Sequence, residues 1–286
     1  MSDAVTFEQK HLVAPNVSTV PLYSPFRYPG GKSRLYPFMS KWLKSKASAP
    51  SILIEPFAGG AHIGLAAAIE NMVDQVVLVE IDKDVAAVWN TILSHEYEWL
   101  VNRIANFDMT KESVDCTLNC ESASTKEHAF AVILRNRISR GGVTAPGSGK
   151  LNHGENGKGL NSRWYPDTLG KRIATIFKAR DRIKFIEGDG LAIMRQKGEL
   201  ENAVFFIDPP YPKAGKRLYR HSDVDPREVF KVACSLKGDF LITYDDSEEI
   251  IDLVIKSELD VESIVMSTSH HRKKCDLLIG RDLEWL

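Results

Sequence analysis

Five short runs of the chain, SILIEPF, VVLVEID, RIKFIEGD, AVFFIDPP and DFLITY, are almost continuously apolar and rich in β-branched and aromatic residues. A strand with one wet face alternates apolar with polar side chains, whereas a strand this apolar needs both faces covered. Between the runs lie stretches with apolar residues at helical spacing: AHIGLAAAIENM, DVAAVWNTILSH, LAIMRQKGEL, REVFKVACSLK and SEEIIDLVIKSE. Strand and helix in alternation predict a largely parallel sheet with helices on both faces, because parallel neighbours must be joined by a crossover. Near the end, VESIVMSTS and CDLLIGRDLEWL are separated only by HHRKK. That gap is too short for a crossover helix, so the two are expected to form an antiparallel hairpin at one edge of the sheet.

The alternation is interrupted once. From about His95 to Arg180 the chain carries amphipathic helical patterns (EYEWLVNRIANF, KEHAFAVILRNRIS, TLGKRIATIFKARDR) and no strong strand, with seven glycines between Gly141 and Gly159. This predicts a second, mostly helical domain at 95–180, inserted between the two parts, 1–94 and 181–286, of an α/β domain. Overall charge is −1, yet twelve Lys or Arg face three Asp or Glu between Val132 and Lys184. A basic block beside a glycine-rich loop is the electrostatic footprint of a polyanion-binding surface, although a charge run is more often a solvated face.

Composition excludes several classes. No window has the apolar length of a membrane span, and the N-terminus carries acids where a secretory signal would carry bases and an apolar run. The four cysteines form no CxxC pair, which predicts reduced thiols, a cytoplasmic protein and no metal site. The stretch FRYPGGKSRL ends in Gly-Lys-Ser like a triphosphate-binding loop, but that signature needs a glycine where this chain has Phe26.

Two strand ends carry the candidate chemistry. EPFAGGAHIG follows an apolar run and opens a helix, and Gly59 and Gly60 allow a tight turn with close approach of a ligand to the helix N-terminus. The spacing is not that of a dinucleotide site. The next run ends in Glu80, placed to accept ribose hydroxyls, while Asp82 or Asp84 suits the cap of the following helix. AVFFI then leads straight into Asp208-Pro209-Pro210-Tyr211. Two prolines fix two φ angles and remove two donors, so the strand cannot continue, and an acid and a phenol ring are held in a stiff loop. Such a group suits methylation of an amino group conjugated to an aromatic ring, whose delocalised lone pair makes it a poor nucleophile. One N–H given to the Asp208 carboxylate and the other to the Pro209 carbonyl would direct that lone pair at an electrophilic methyl group. Tyr211 would offer a ring for an extruded base.

With EPFAGG, VEID and DPPY in this order, the chain resembles the D12 class (Dam-like) of DNA adenine-N6 methyltransferases. The resemblance spans about 26–92 and 183–286. It implies a Rossmann-like methyltransferase sheet, α/β in class, with the antiparallel C-terminal hairpin and an inserted, mostly helical target-recognition domain. It also implies S-adenosyl-L-methionine as cofactor, contacted by Tyr28 and Lys32 of RYPGGK, by Phe57 and Gly59, by Glu80 at the ribose, by Asp189 near the adenine and by Asp208. Asp208, Pro209, Pro210 and Tyr211 match the catalytic tetrapeptide without substitution. The expected partner is double-stranded DNA, held by Arg135, Arg137, Arg140, Lys150 and Arg163 of the insert and by Lys216 and Arg217 after the tetrapeptide. Phosphates are the expected targets of these arginines, since they take half or more of protein–DNA hydrogen bonds. A monomer is expected, with a cognate restriction endonuclease as a candidate partner. Cytosine-N4, an RNA adenine and a non-catalytic DNA-binding role on the same fold are the rival readings.

Overall fold

The computed structural model describes residues 12–27, 32–46, 48–142, 158–211, 223–267 and 273–286. In chain order its elements are β1 (Leu12–Val13), α1 (Tyr36–Ser45), β2 (Ile52–Glu55), α2 (His62–Ile69), β3 (Gln75–Glu80) and α3 (Lys83–Ile92). Four helices follow: α4 (Tyr97–Ala105), α5 (Lys111–Asn119), α6 (Thr125–Ile138) and α7 (Pro166–Lys178). The chain then returns to alternation with β4 (Ile183–Glu187), α8 (Gly190–Lys197), β5 (Ala203–Ile207), α9 (Pro226–Ser235), β6 (Asp239–Asp245), α10 (Glu248–Lys256), β7 (Asp260–Ser267) and β8 (Lys273–Gly280).

The strands form one mixed sheet in the order β1-β7-β8-β6-β5-β2-β3-β4. From β6 to β4 all neighbours are parallel. The chain runs outward from β2 through β3 to β4, then crosses back to place β5 on the other side of β2. The order reverses there, so a crevice opens outside the carboxyl ends of β2 and β5. β8 runs antiparallel to both β6 and β7, and β1 adds in parallel outside β7. The β7–β8 hairpin therefore lies one strand in from the edge. Leu12–Val13 is too short to carry a periodic signal, which is why the sequence does not show it.

Successive residues of the central strands feed two different cores. Leu53, Val76, Leu78, Val204 and Phe206 face one side, and Ile54, Val77, Val79, Phe205 and Ile207 face the other. α8, α9 and α10 cover the second face with Met194, Phe230 and Val254. The first face is covered by α1 to α3, and the helices α4 to α7 continue the same core through Leu100, Val114, Phe130 and Ile173. The 95–180 segment thus buries its apolar side against the α/β layer. α6 is its centre: Ala129 to Leu134 and Asn136 to Ile138 are all buried, and its N-terminus is closed by Ser124 and Glu127. Trp164 packs edge-on against Phe107 and Phe130 as an anchor of this core.

Candidate active site

Glu55 is the last residue of β2, and the loop after it turns tightly through Gly59 (φ 47°) and Ala61 (φ 50°) into α2. A left-handed alanine is strained by roughly 1–2 kcal/mol, so the surrounding structure must impose it. Three contacts do. Ala58 N–H donates to the Val79 carbonyl at 2.9 Å, Gly59 N–H to Glu80 Oε2 at 2.9 Å, and the Trp89 indole to the Gly59 carbonyl at 3.1 Å. Phe57 is half-buried on the second core. The loop is also braced from below, because a Cβ on Gly190 would stand 2.0 Å from the Pro56 carbonyl oxygen.

Glu80 is a held carboxylate. Oε2 accepts from Gly59, and Oε1 accepts from the backbone N–H groups of Ile81 and Asp82, each at 2.9 Å. A carboxylate has about four acceptor positions, so about one remains for a hydroxyl. Burial raises the Glu80 pKa against the pull of these three donors. Asp82, not Glu80, caps α3 by accepting from Asp84 N–H at 2.8 Å. Asp189 is exposed and caps α8 through Leu191 N–H at 2.8 Å, which is the structural role a Gly-Asp-Gly turn affords.

At the end of β5, Asp208 meets two other side chains directly. Thr243 of β6 donates to Asp208 Oδ1 at 2.6 Å, and Lys32 Nζ lies 3.3 Å from the same oxygen. Lys32 Nζ also donates to Asp276 Oδ2 at 3.0 Å and to the Tyr211 hydroxyl. Asp276 reaches this edge only because β8 runs antiparallel, which pairs it with Asp245 at the carboxyl end of β6. Lys32 and Asp276 are 5% and 2% exposed, whereas the Asp208 side chain keeps 26%. Burial disfavours the Lys32 charge, but Asp208, Tyr211 and Asp276 more than offset it, so the ammonium stays protonated. Burial raises the Asp208 pKa against the pull of Lys32 and Thr243. Burial likewise pushes the Tyr211 phenol well above its ordinary value, and the ring is enclosed beside Tyr244 at 5.8 Å. The result is a carboxylate gripped at one oxygen from within the sheet.

Glu55, Thr243 and Asp276 were not anticipated as parts of this centre. Glu55 is 3% exposed, Oε2 has no hydrogen-bond partner, and burial raises its pKa to about 8. The signal for all three was a polar residue inside or at the end of an otherwise apolar strand (SILIE, FLITY, CDLLI). His62, in the first turn of α2, is held neutral, because burial and the charge of Arg172 push it down to about 4.

The structure corrects or narrows several expected contacts. Lys32 has all three of its N–H donors directed at Tyr211, Asp276 and Asp208, so none is turned to a cofactor carboxylate. Arg137 is 5% exposed and donates to the Pro25 carbonyl, so it is an internal strut and not a surface contact. From Ala129 on, its helix is buried at every position but Arg135, and burial and the charges of Arg172, Arg27 and Arg163 lower the Arg137 pKa. Arg135 reaches Asp84 at 3.4 Å, beside His128, and ties α6 to α3. Arg140 is exposed and Arg163 half-buried. Tyr28, Lys150, Lys216 and Arg217 lie outside the described residues.

A family model for the D12 class N6 adenine-specific DNA methyltransferases matches residues 28–269. The chain belongs to that family. The D12 match runs through the glycine loop, Glu80, the helical segment and the tetrapeptide. No curated protein matches the sequence. Similar solved structures include a precorrin-6y C5,15-methyltransferase from Geobacter metallireducens, at 9% identity and TM-score 0.39, covering 95% of this chain and 93% of that one. Another is the rRNA methyltransferase aviRa from Streptomyces viridochromogenes, at 14% identity and TM-score 0.39, covering 87% and 84%. A third is the tRNA methyltransferase TrmK from B. subtilis, at 9% identity and TM-score 0.37, covering 87% and 66%. At such scores these likenesses carry no argument about substrate.

Membership of a methyltransferase family implies use of S-adenosylmethionine. The strand-end crevice fits such a group: Gly59 supplies a left-handed turn, Glu80 keeps an acceptor position, and the buried Glu55 Oε2 has no partner of its own. Among the described residues no helix is long and apolar enough to cross a membrane.

Proposed function

We propose that this protein methylates the N6 amino group of an adenine flipped out of duplex DNA. The observation that carries the reading is the grip on Asp208. Thr243 and Lys32 both hold Oδ1, while the Asp208 side chain keeps 26% of its exposure at the switch-point crevice. An acceptor fixed in this way selects a ligand that donates, and an aromatic amino group donates two N–H bonds. The other N–H falls to the Pro209 carbonyl, presented by a backbone that proline makes stiff.

The residues perform the remaining work by orientation. Glu80 would hold a ribose hydroxyl, and the Gly59 turn would receive the rest of the cofactor. Bound there, S-adenosylmethionine supplies an electrophilic sulfonium methyl group. Asp208 stays ionised to accept the amino N–H, and Lys32 keeps it so by its fixed positive charge. Stacking of the flipped base on Tyr211 requires the ring to turn away from Lys32. That movement frees one ammonium donor, which would then meet the cofactor's carboxylate. Stacking is worth roughly 1–3 kcal/mol per base. The proton released from nitrogen leaves to solvent. Exposed Arg140 and the other solvent-facing bases of the run 132–184 would take up backbone phosphates, with Lys150, Lys216 and Arg217 as further candidates.

The test is transfer of labelled methyl from S-adenosylmethionine to unmethylated duplex DNA, by wild type and Asp208→Ala, with the product nucleosides separated. N6-methyladenine from wild type, lowered roughly 100- to 1,000-fold or more in the variant, is the expected outcome. N4-methylcytosine, or label in RNA alone, would keep the chemistry and overturn the substrate. No transfer by a protein that still binds S-adenosylmethionine would point to a non-catalytic DNA-binding role.

A further inference from the structure

Tyr244 carries a hydroxyl that the core around it does not need. The side chain lies on β6, faces the second core and is 0% exposed. Its ring stacks on Phe230, with centroids 6.2 Å apart and planes at 17°, and stands 5.8 Å from the Tyr211 ring, tilted by 37°. Phe205, Phe230 and Phe240 fill the same core without a polar side-chain atom. The Tyr244 oxygen is buried and has no hydrogen-bond partner among the described residues. A buried tyrosine hydroxyl ordinarily finds a partner, and one without it has lost its hydration for nothing in return. For packing alone, phenylalanine would be the more stable choice. Burial holds the Tyr244 phenol well above its ordinary value, and the carboxylates of Asp208, Asp225, Asp245 and Glu249 push the same way. The hydroxyl therefore keeps its proton and remains a donor.

The neighbour suited to this donor is Tyr211. Its ring is 8% exposed, and its hydroxyl oxygen accepts from the Lys32 ammonium, which stands 4.7 Å from the ring centroid. A ring so enclosed has little surface to give a base. Stacking requires it to turn, and the turn breaks the bond from Lys32. The Tyr211 oxygen then lacks that donor in a place where an unpaired oxygen is costly. Tyr244 has the opposite defect, a donor without an acceptor, one ring away. The two defects cancel when the phenols meet.

We propose that Tyr244 is a positioning residue whose O–H donates to the Tyr211 oxygen once the Tyr211 ring has turned from Lys32 to receive a flipped base. The proposal rests on the methyltransferase reading above. Tyr211 then has two settings, bonded to Lys32 in the free protein and to Tyr244 with the base in place. The Tyr244 hydroxyl destabilises the first setting, where it is buried without an acceptor, and stabilises the second. Both effects shift the balance toward the turned ring.

The test compares wild type, Tyr244→Phe, Tyr211→Phe and the double variant. Thermal melts are taken of the free proteins, and kcat/KM is measured for methyl transfer from saturating S-adenosylmethionine to sheared unmethylated duplex DNA. Tyr244→Phe keeps the ring on Phe230 and removes only the oxygen. It is expected to melt above wild type and yet to lose roughly tenfold in kcat/KM, the worth of about one hydrogen bond. Tyr211→Phe takes away the acceptor, so the double variant is expected to transfer no more slowly than Tyr211→Phe alone. A merely structural hydroxyl moves stability and activity in the same direction. A Tyr244→Phe protein that melts below wild type, or does not fold, would therefore overturn the proposal. So would an unchanged kcat/KM, or losses that multiply in the double variant. Each of these results leaves methyl transfer by wild type standing. A wild type that transfers no methyl group to DNA would overturn the methyltransferase reading and this proposal with it.

Discussion

Thr243 Oγ1 sits 2.6 Å from Asp208 Oδ1, in a strand otherwise apolar at FLI. Replacing it by valine keeps the shape and removes the donor. Because that donor lowers the Asp208 pKa, its loss raises the pKa further. The acid limb of the pH–rate profile for methyl transfer should move up accordingly in Thr243→Val, with kcat about tenfold lower and KM for S-adenosylmethionine little changed. Thr243→Ser should restore both. Glu55 gives a separate prediction about stability. Its pKa is about 8 in the folded protein, above the ordinary 4.5, so the native state holds a proton that the unfolded chain releases. Stability from this residue is full below pH 4.5 and is lost as pH rises to about 8, by an amount on the order of a few kcal/mol. Glu55→Gln should flatten that slope, so that thermal melts of the variant exceed wild type at pH 8 and above and match it near pH 5. Neither residue is conspicuous in the sequence, because a single polar letter in an apolar run has many innocent explanations.

At the scale of elements, periodicity made most of the sheet and its helices legible. The runs that read as doubly buried strands became β2 to β6, and the short HHRKK gap lies between β7 and β8. Local chemistry also showed through: Asp82 caps α3 as its position suggested. What failed was exposure. α6 carries RNR at its end and looks like a basic surface helix, yet Arg137 is buried and Arg135 is bound to Asp84, since the last two-thirds of the helix are almost wholly buried. A one-dimensional charge count cannot distinguish a guanidinium that faces solvent from one that braces a carbonyl. Element packing also yields a test. Gly190 lets the first turn of α8 rest on the Pro56 carbonyl, and a methyl group there would stand 2.0 Å from that oxygen. Gly190→Ala should lower stability by roughly 1–3 kcal/mol in urea melts and weaken S-adenosylhomocysteine binding, because the β2–α2 loop must move to admit the methyl group.

Over the whole molecule, charge is almost balanced at −1, but it is unevenly distributed: between Val132 and Lys184 twelve bases face three acids, a surplus that survives setting aside buried Arg137 and paired Arg135. Such a chain should bind duplex DNA with strong salt dependence, despite its neutrality. Each phosphate neutralised contributes about −0.9 to the slope of log K against log salt. Titration between 50 and 200 mM salt should give a slope steeper than about −3, and Arg140→Ala should flatten it by about one. A flat plot would place the DNA elsewhere or nowhere.

The bond between Lys32 and Asp276 joins residues 244 positions apart, and it reaches the Asp208 centre only through a strand that threads in between β6 and β7. A chain emerging from the ribosome can complete β2 to β6 and still leave the lysine without one of its two carboxylates and β6 with a bare edge. Competence therefore arrives late in synthesis and all at once. A nascent or prematurely terminated chain has a tetrapeptide but no assembled centre, and its unpaired strand makes it a ready substrate for chaperones or for aggregation.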